Sequence, residues 1–163
     1  MNDRDITIDD NLFNKIYADY SKLIFSVCYH ILLSKAEAEE AVQEVFIRFS
    51  QNYKTIEKPK YWLVKVANNY CNEQYNRKKC HQNYLARTMN HAKTLMKTMT
   101  MFFSNSDELQ KVFICLDKKE RFLLTLKIGY DYKHEEIAEI LEVPVGTVKS
   151  SLSRLLKKIK GEL

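Results

Sequence analysis

The end of the chain, from Lys133 to Leu163, contains two short amphipathic segments separated by a break. The first segment runs from His134 to Leu141, and the break is Glu142-Val143-Pro144. At about 100° per residue, the second segment separates into a polar side and an apolar stripe. The polar side carries Thr147, Ser150, Arg154 and Lys157, and the stripe carries Val145, Val148, Leu152, Leu155, Leu156 and Ile159. This pattern predicts a helix-turn-helix whose second helix is suited to the major groove of DNA.

The composition favours helices and a polyanionic partner. The chain has 163 residues, which is enough for one ordinary domain or two small ones, and only three Gly and two Pro to make turns. Its net charge is +5, but the basic residues are concentrated in two zones. Residues 57–81 carry six Lys/Arg against two Glu, and residues 147–163 carry five against one. Two separated basic zones indicate two contacts on one long polyanion.

The periodicity of the rest of the chain predicts further helices. An apolar stripe runs from Leu12 to Leu32, and a capping box of Ser34 and Glu37 opens a second helix. The second helix should place Ala38, Ala41, Val42, Val45, Phe46, Phe49 and Tyr53 inward. A third helix begins near Pro59 and ends at about Lys79. Residues 81–106 are interpreted as a flexible linker, and helices are predicted at Asp107–Leu116 and, with an Asp117 cap and Glu120 at its third position, at Lys118–Ile128.

The sequence offers little support for other classes of protein. The start of the chain is not a signal peptide, and the longest apolar run falls short of a membrane span, so we expect a cytoplasmic protein. The four cysteines have no CxxC spacing and are expected to be reduced and mostly buried. The four histidines are scattered, and no Gly-rich phosphate loop, catalytic triad or paired-carboxylate site is recognisable. We therefore expect no enzyme, no metal and no cofactor.

The third helix is the second candidate for nucleic-acid binding. Its predicted apolar side is Trp62, Leu63, Val66 and Tyr70, and its polar side presents Tyr61, Lys65, Asn68, Asn72, Tyr75, Asn76 and Lys79, with Asn69 at the edge. Asparagine can read base edges, and aromatics interleaved with cations can stack on unpaired bases while neutralising phosphates. A solvated, Asn-rich helix face is the alternative interpretation of this helix taken alone.

Two stretches of the chain resemble one family. They are Phe13 to Lys79, including SKAEAEEAVQEVFIRF and YWLVKVANNYCNEQYNRKK, and LDKKERFLLTLKIGYDYKHEEIAEILEVPVGTVKSSLSR. Together they are similar to the extracytoplasmic-function (ECF) bacterial sigma factors, the minimal type with only regions two and four. The resemblance implies an all-α protein of two modules: a three-helix region 2 at residues 10–80 and a four-helix region 4 at residues 107–163. It implies transcription initiation with core RNA polymerase and promoter DNA, and commonly an anti-sigma partner.

The resemblance also implies roles for particular residues. Core polymerase binding maps to Glu40, Gln43 and Glu44. Contacts to the −10 element map to Tyr61, Lys65, Asn68, Asn69, Asn72, Asn76, Arg77, Lys78 and Lys79, with Asn69 matching the residue that captures a flipped base. Trp62 is expected to belong to the core instead of acting as a melting wedge. Contacts to the −35 element map to Thr147, Lys149, Ser150, Ser151, Ser153, Arg154 and Lys157.

Three departures from the family pattern affect these expectations. Glu40-Ala41 stands where Asp-Leu is usual, so the polymerase contact is altered. Ser151 stands where an Arg is common, which removes a bidentate contact and changes the expected target sequence. Lys133 stands where a capping Ser or Thr is usual, so the helix from His134 should start less firmly.

A stand-alone helix-turn-helix regulator remains an alternative to a polymerase subunit. It would explain the C-terminal half and leave residues 12–79 as an effector or dimerisation domain. The Asn-rich basic helix and the lack of a ligand-cleft signature count against it. If the chain is a sigma factor, we expect its two modules to fold independently and to reach their working separation only on polymerase.

Overall fold

The protein is all-α in the part that can be described. The computed structural model describes residues 10–85 and 116–162, and no strand occurs among them. The helices are α1 (Asp10–Leu32), α2 (Lys35–Asn52), α3 (Pro59–Leu85), α4 (Lys118–Leu124), α5 (His134–Leu141) and α6 (Val145–Glu162). A 3₁₀ turn at Tyr53–Thr55 follows α2, and a π-helical turn at Thr125–Gly129 continues α4. Helices α1–α3 form an N-terminal module, and α4–α6 form a C-terminal module.

The N-terminal module is a three-helix bundle around a fully buried apolar core. Predicted inward residues of α2 from Ala38 to Phe49 are buried, whereas Tyr53 is half-buried in the 3₁₀ turn. The thiols of Cys28 and Cys71 are free and buried in this core, as expected for reduced cysteines. Their mutual hydrogen bond, followed by burial, raises the pKa of Cys28 well above its ordinary value. Cys115, and the side chain of Cys80, lie outside the described residues.

The helix ends show how local sequence sets the boundaries. Ser34 caps α2 and accepts from the Glu37 N–H at 3.5 Å, but the Glu37 carboxylate pairs with Lys78 of α3. Only the hydroxyl half of the predicted capping box is therefore seen. Asp117 caps α4 with the complete box, because its carboxylate accepts from Glu120 N while Glu120 accepts from Asp117 N, both at 2.8 Å.

The turn of the helix-turn-helix is made without glycine. Glu142 ends α5 in the left-handed conformation (φ 55°, ψ 42°), where Gly or Asn is usual. Its N–H and that of Val143 bond to carbonyls of the last turn of α5. Pro144 then supplies the carbonyl that accepts from Thr147 N at 2.9 Å. The break predicted at Glu142-Val143-Pro144 is confirmed.

The two modules pack against each other through one continuous apolar core. α1 contacts α4, and α3 contacts α5. Tyr132, which precedes α5, is 1% exposed, and its ring meets that of Tyr61 edge-on at 6.4 Å between centroids. Lys60 Nζ lies 4.2 Å from the centre of the Tyr132 ring, in cation–π geometry. The C-terminal module therefore rests on α1 and α3 instead of standing apart from them.

Several expectations about individual faces were wrong. The buried stripe of α3 is Leu63, Val64, Ala67 and Cys71, so the predicted stripe was rotated; Trp62, Val66 and Tyr70 are only partly buried. On α6, Leu156 is 45% exposed although it lies on the apolar stripe. On α1, Leu12 and Tyr17 are similarly exposed.

The third helix extends to Leu85, past the predicted end at Lys79. The predicted helix Asp107–Leu116 and the linker lie almost wholly outside the described residues.

Within residues 10–85 and 116–162, no helix is long and apolar enough to cross a membrane.

Candidate nucleic-acid interface

The second helix of the helix-turn-helix, α6, presents a polar row to solvent. Val148, Leu152 and Leu155 are buried, and they fix α6 on the C-terminal module. Thr147, Lys149, Ser150, Ser153, Arg154 and Lys157 are exposed, and Ser151 is partly buried. Arg154 makes only a long 3.4 Å contact with the Ser150 carbonyl, so its guanidinium is available to a ligand. A rigid helix with hydroxyls and cations on its free side can enter a major groove.

The polar side of α3 faces the C-terminal module. Lys58, just before the helix, pairs with Glu139 at 2.6 Å, and Lys65 pairs with Glu142 at 2.5 Å. Tyr61 Oη donates to Glu136 Oε1 at 2.6 Å. That bond raises the pKa of Tyr61 to about 12. It also lowers the pKa of Glu136, which accepts in addition from the Lys133 N–H that opens α5.

The other candidate DNA-binding residues of α3 lie either at this contact between the modules or in solvent. Asn72 donates to Asn68 Oδ1 at 3.0 Å, and Asn76 accepts from Lys118 Nζ at 3.2 Å. Asn69 is exposed to solvent. Arg77 pairs with Glu73 along the helix, and Lys78 pairs with Glu37. The side chain of Lys79 lies outside the described residues.

Asn68 and Asn72 line the same cleft as the polar row of α6. This inter-module cleft, of about 610 Å³, is bounded on one wall by Asn68 and Asn72 of α3. Thr147, Ser151 and Arg154 of α6 stand on the other wall. Two surfaces predicted to touch different stretches of DNA thus converge on one space.

The candidate polymerase face on α2 lies partly beside a second opening. Glu40 and Gln43 are exposed, and Glu44 is partly buried and accepts from Arg48 Nε at 2.7 Å. Gln43 also lines an apolar groove of about 930 Å³ between the modules, together with Phe25, Ile128, Leu156 and Ile159. The exposed Leu156 therefore belongs to this groove.

A buried polar junction joins the modules behind the two openings. Arg121 of α4, 6% exposed, donates from Nε to the His30 carbonyl at 2.7 Å and from Nη1 to the Leu116 carbonyl at 2.6 Å. Thr125 Oγ1 lies 2.7 Å from His30 Nδ1 and donates to the Arg121 carbonyl. Burial, and then the charge of Arg121, lower the pKa of His30 to about 4, so its imidazole is neutral near pH 7.

Sequence reasoning missed the residues that make the module contact. Lys58, Lys118, Arg121 and the carboxylates of α5 were not singled out, although Lys58 belongs to a recognised basic zone. The acidic residues within 134–142 are the sequence signal that could have pointed to a surface complementary to the basic zones. Which surface it meets depends on tertiary packing. Across residues 10–85 and 116–162, no cluster of His, Cys, Asp or Glu is arranged to hold a metal ion.

Comparison with known proteins identifies both modules. The model "Sigma-70 region 2" matches residues 16–80, and "Sigma-70, region 4" matches residues 106–159. The chain belongs to the sigma-70 family, and it is an RNA polymerase sigma factor. Within that family it is of the extracytoplasmic-function type, since these two regions are matched and no other. The stand-alone regulator is not favoured.

Similar proteins agree with this assignment along nearly the whole chain. The ECF RNA polymerase sigma factor SigW of Bacillus subtilis (strain 168) is 28% identical, over 95% of this chain and 90% of that protein. The fold is similar to RpoE from Bartonella quintana, solved with the anti-sigma factor NepR (TM-score 0.70, 16% identity, 95% of this chain and 97% of the other). It is also similar to CnrH solved with the cytosolic domain of CnrY (TM-score 0.68, 15% identity, 96% and 90%).

Proposed function

We propose that three faces of this sigma factor divide the work of initiation: α2 binds core polymerase, α3 reads the −10 element and α6 reads the −35 element. One observation carries the proposal. The exposed hydroxyl and cationic row of α6 and the basic, Asn-rich side of α3 lie on different modules, each matched to the corresponding sigma region. One chain therefore offers two distinct DNA-binding surfaces.

On α6, Arg154 is the base-reading residue. It is exposed at the centre of the polar row, and its planar guanidinium can donate two parallel hydrogen bonds to guanine. Lys149 and Lys157 neutralise phosphates on either side, and Thr147, Ser150 and Ser153 supply hydroxyl contacts. Ser151, at the place where an Arg is common, is too short for that bidentate contact, so Arg154 carries more of the specificity here.

On α3, Asn69 captures a base and the cations hold the strand. Its amide is exposed and presents both a donor and an acceptor, which is what a flipped base edge requires. Lys65, Arg77, Lys78 and Lys79 lie along the same helix and neutralise phosphates. Asn68, Asn72, Asn76 and Tyr61 complete the polar surface beside them.

On α2, Glu40, Gln43 and Glu44 form an acidic and amide patch for a basic element of core polymerase. Their helix is fixed by buried Val42, Val45 and Phe46, so the patch is presented on a rigid support. An exposed Ile47, 52% accessible, adds an apolar contact one turn further along.

The proposal extends to location, chemistry and regulation. The protein acts in the cytoplasm, where polymerase and promoter DNA are, and it catalyses no reaction itself. RpoE from Bartonella quintana, which has a similar fold, was solved with an anti-sigma factor. The apolar groove beside Gln43 offers such a partner an amphipathic binding surface. An anti-sigma protein seated there would also cover the polymerase face.

Reconstituted transcription with three variants, one for each proposed binding face, tests these assignments. Glu40→Ala/Gln43→Ala/Glu44→Ala should lose polymerase binding. Lys65→Ala/Asn69→Ala should bind polymerase but open promoters poorly. Lys149→Ala/Arg154→Ala should bind and open, but ignore changes in the −35 element. If all three variants fail at the same step, the division of labour is wrong.

A further inference from the structure

We infer that the free chain is autoinhibited by its own α5, whose carboxylates occupy the positions on α3 that promoter phosphates would take. The inference rests on the proposed role of α3 in −10 recognition and adds a regulatory contact to it. The contact is defined by three pairs, here called the α3–α5 ladder: Lys58 with Glu139, Tyr61 with Glu136, and Lys65 with Glu142.

The ladder matches the spacing of both helices. The three carboxylates are three residues apart, so they project from neighbouring positions on one side of α5 and its C-terminal turn. Their three partners, Lys58 just before α3 and Tyr61 and Lys65 in its first turns, are spaced three and four residues apart, which also places them on one side. Each anionic oxygen lies 2.5–2.6 Å from its donor. A row of oxyanions along a cationic helix is the arrangement that a nucleic-acid backbone presents.

The closed arrangement also prevents both promoter elements from being read at once. Elements centred near −10 and −35 are about 25 base pairs apart, which is roughly 85 Å of duplex at about 3.4 Å per base pair. Asn68 of α3 and Arg154 of α6 instead line one cleft of about 610 Å³. No straight duplex can place its two elements in one such space, so the modules must separate for the chain to work.

The energetics make this closure reversible. The ladder pairs are largely exposed, with side chains 40–70% accessible for the two ion pairs, and exposed pairs contribute little each. The buried Tyr132 contact and the Arg121–His30 junction hold the modules together. The ladder determines which groups lie against the polar side of α3. Polymerase and promoter can therefore replace the ladder without unfolding either module.

Binding of a −10 probe by the full chain, without polymerase, tests the inference. The probe is a fluorescent single-stranded oligonucleotide carrying the non-template −10 sequence, obtained from mapped transcript starts. Wild type is compared at one salt concentration with Glu136→Gln/Glu139→Gln/Glu142→Gln. Glutamine retains the capping contact at position 136 and removes the charges. The control is Asp19→Asn/Asp131→Asn/Glu135→Gln, which removes three exposed charges outside the ladder.

The ladder variant should bind the probe at least about tenfold more tightly than wild type. The reason is that a larger fraction of the molecules has α3 free to bind the probe. The control should stay within about twofold, which excludes a general effect of net charge. X-ray scattering should give a larger radius of gyration for the probe-bound ladder variant than for the free wild type. Equal affinities for wild type and the ladder variant, or an equal gain in the control, would overturn the inference.

A holoenzyme measurement separates this inference from the proposed function. If Lys65→Ala/Asn69→Ala impairs opening by holoenzyme but the ladder variant leaves free-chain binding unchanged, the α3 assignment stands and autoinhibition is refuted. If that α3 variant transcribes like wild type, α3 is not the −10 reader and the inference is refuted with it.

Discussion

Arg121 donates a hydrogen bond of 2.7 Å to the backbone carbonyl of His30, and this bond joins the C-terminal module to the last turn of α1. The carbonyls at a helix C-terminus carry partial negative charge and have no partner within the helix. A buried guanidinium therefore satisfies a group that the helix leaves open. The same side chain also bonds the Leu116 carbonyl just before α4, so one residue orders both sides of the junction.

Arg121→Ala should destabilise the protein by about 2–4 kcal/mol, because two buried carbonyls lose their donor. The measurement is urea unfolding of the full chain, followed by circular dichroism. Lys15→Ala, an exposed cation on α1, is the control and should change the free energy of unfolding by less than about 0.5 kcal/mol. A loss no larger than the control's would show that the junction contributes no stability.

Asp117→Ala should cost about 1 kcal/mol, because it removes the N-cap of α4 and leaves the Lys119 and Glu120 N–H groups without their acceptor. Asp117→Asn should recover most of the loss, since asparagine is an equally good cap. The same unfolding measurement applies. If alanine and asparagine behave alike, the cap does not contribute.

The stability of the protein should fall as the pH drops from about 6.5 towards 4. The pKa of His30 is lowered to about 4 by burial and by Arg121, so the unfolded chain takes up a proton in this range that the folded chain does not. The loss attributable to His30 is up to about 3 kcal/mol. Unfolding midpoints at several pH values should show a shallower decline for His30→Gln than for wild type. Parallel declines would exclude His30 as the source.

Arg154→Ala should weaken recognition of the −35 element by about 1–3 kcal/mol, since it removes the proposed bidentate contact to a base. Lys160→Ala, on the same helix but off the polar row, removes the same charge and should affect all promoters slightly and alike. Run-off transcription on promoters with single changes in the −35 element gives the comparison. Unaltered promoter preference in Arg154→Ala would rule out base reading by this residue.

Asn69→Ala should impair promoter opening and discrimination at the upstream edge of the bubble while leaving polymerase binding intact. Its exposed amide is the group proposed to hold the flipped base. Permanganate reactivity of unpaired thymines reports opening, and Asn14→Ala on α1 is the control. The assignment fails if mutant and wild type use promoters altered at that base equally well.

The secondary structure could be predicted because its signals are local. The caps at Ser34 and Asp117, the break at Glu142-Val143-Pro144 and the helix α6 require only neighbouring residues. All of these were confirmed, except that Leu156 of the predicted apolar stripe of α6 is exposed. The buried stripe of α3 was misplaced, because Trp62 and Val66 are apolar enough to suggest a core that Ala67 and Cys71 actually form. Small residues carry little hydrophobic signal, although close helix packing favours them.

The packing of the two modules could not be read from the sequence. No local pattern marks Tyr132 and Arg121 for burial, because their burial depends on α1 and α3, which are distant in the chain. Exposed Leu156 looks like a failure of the helical pattern until the apolar groove is known. The structure shows the two modules packed in a closed arrangement, and their independent folding stays a prediction.

The most direct test is to sequence the 5′ ends of transcripts made in vitro from genomic DNA by core polymerase, with and without the purified chain. We expect a new, discrete set of starts that share one sequence near −10 and another near −35. A start pattern identical to that of core polymerase alone would contradict it.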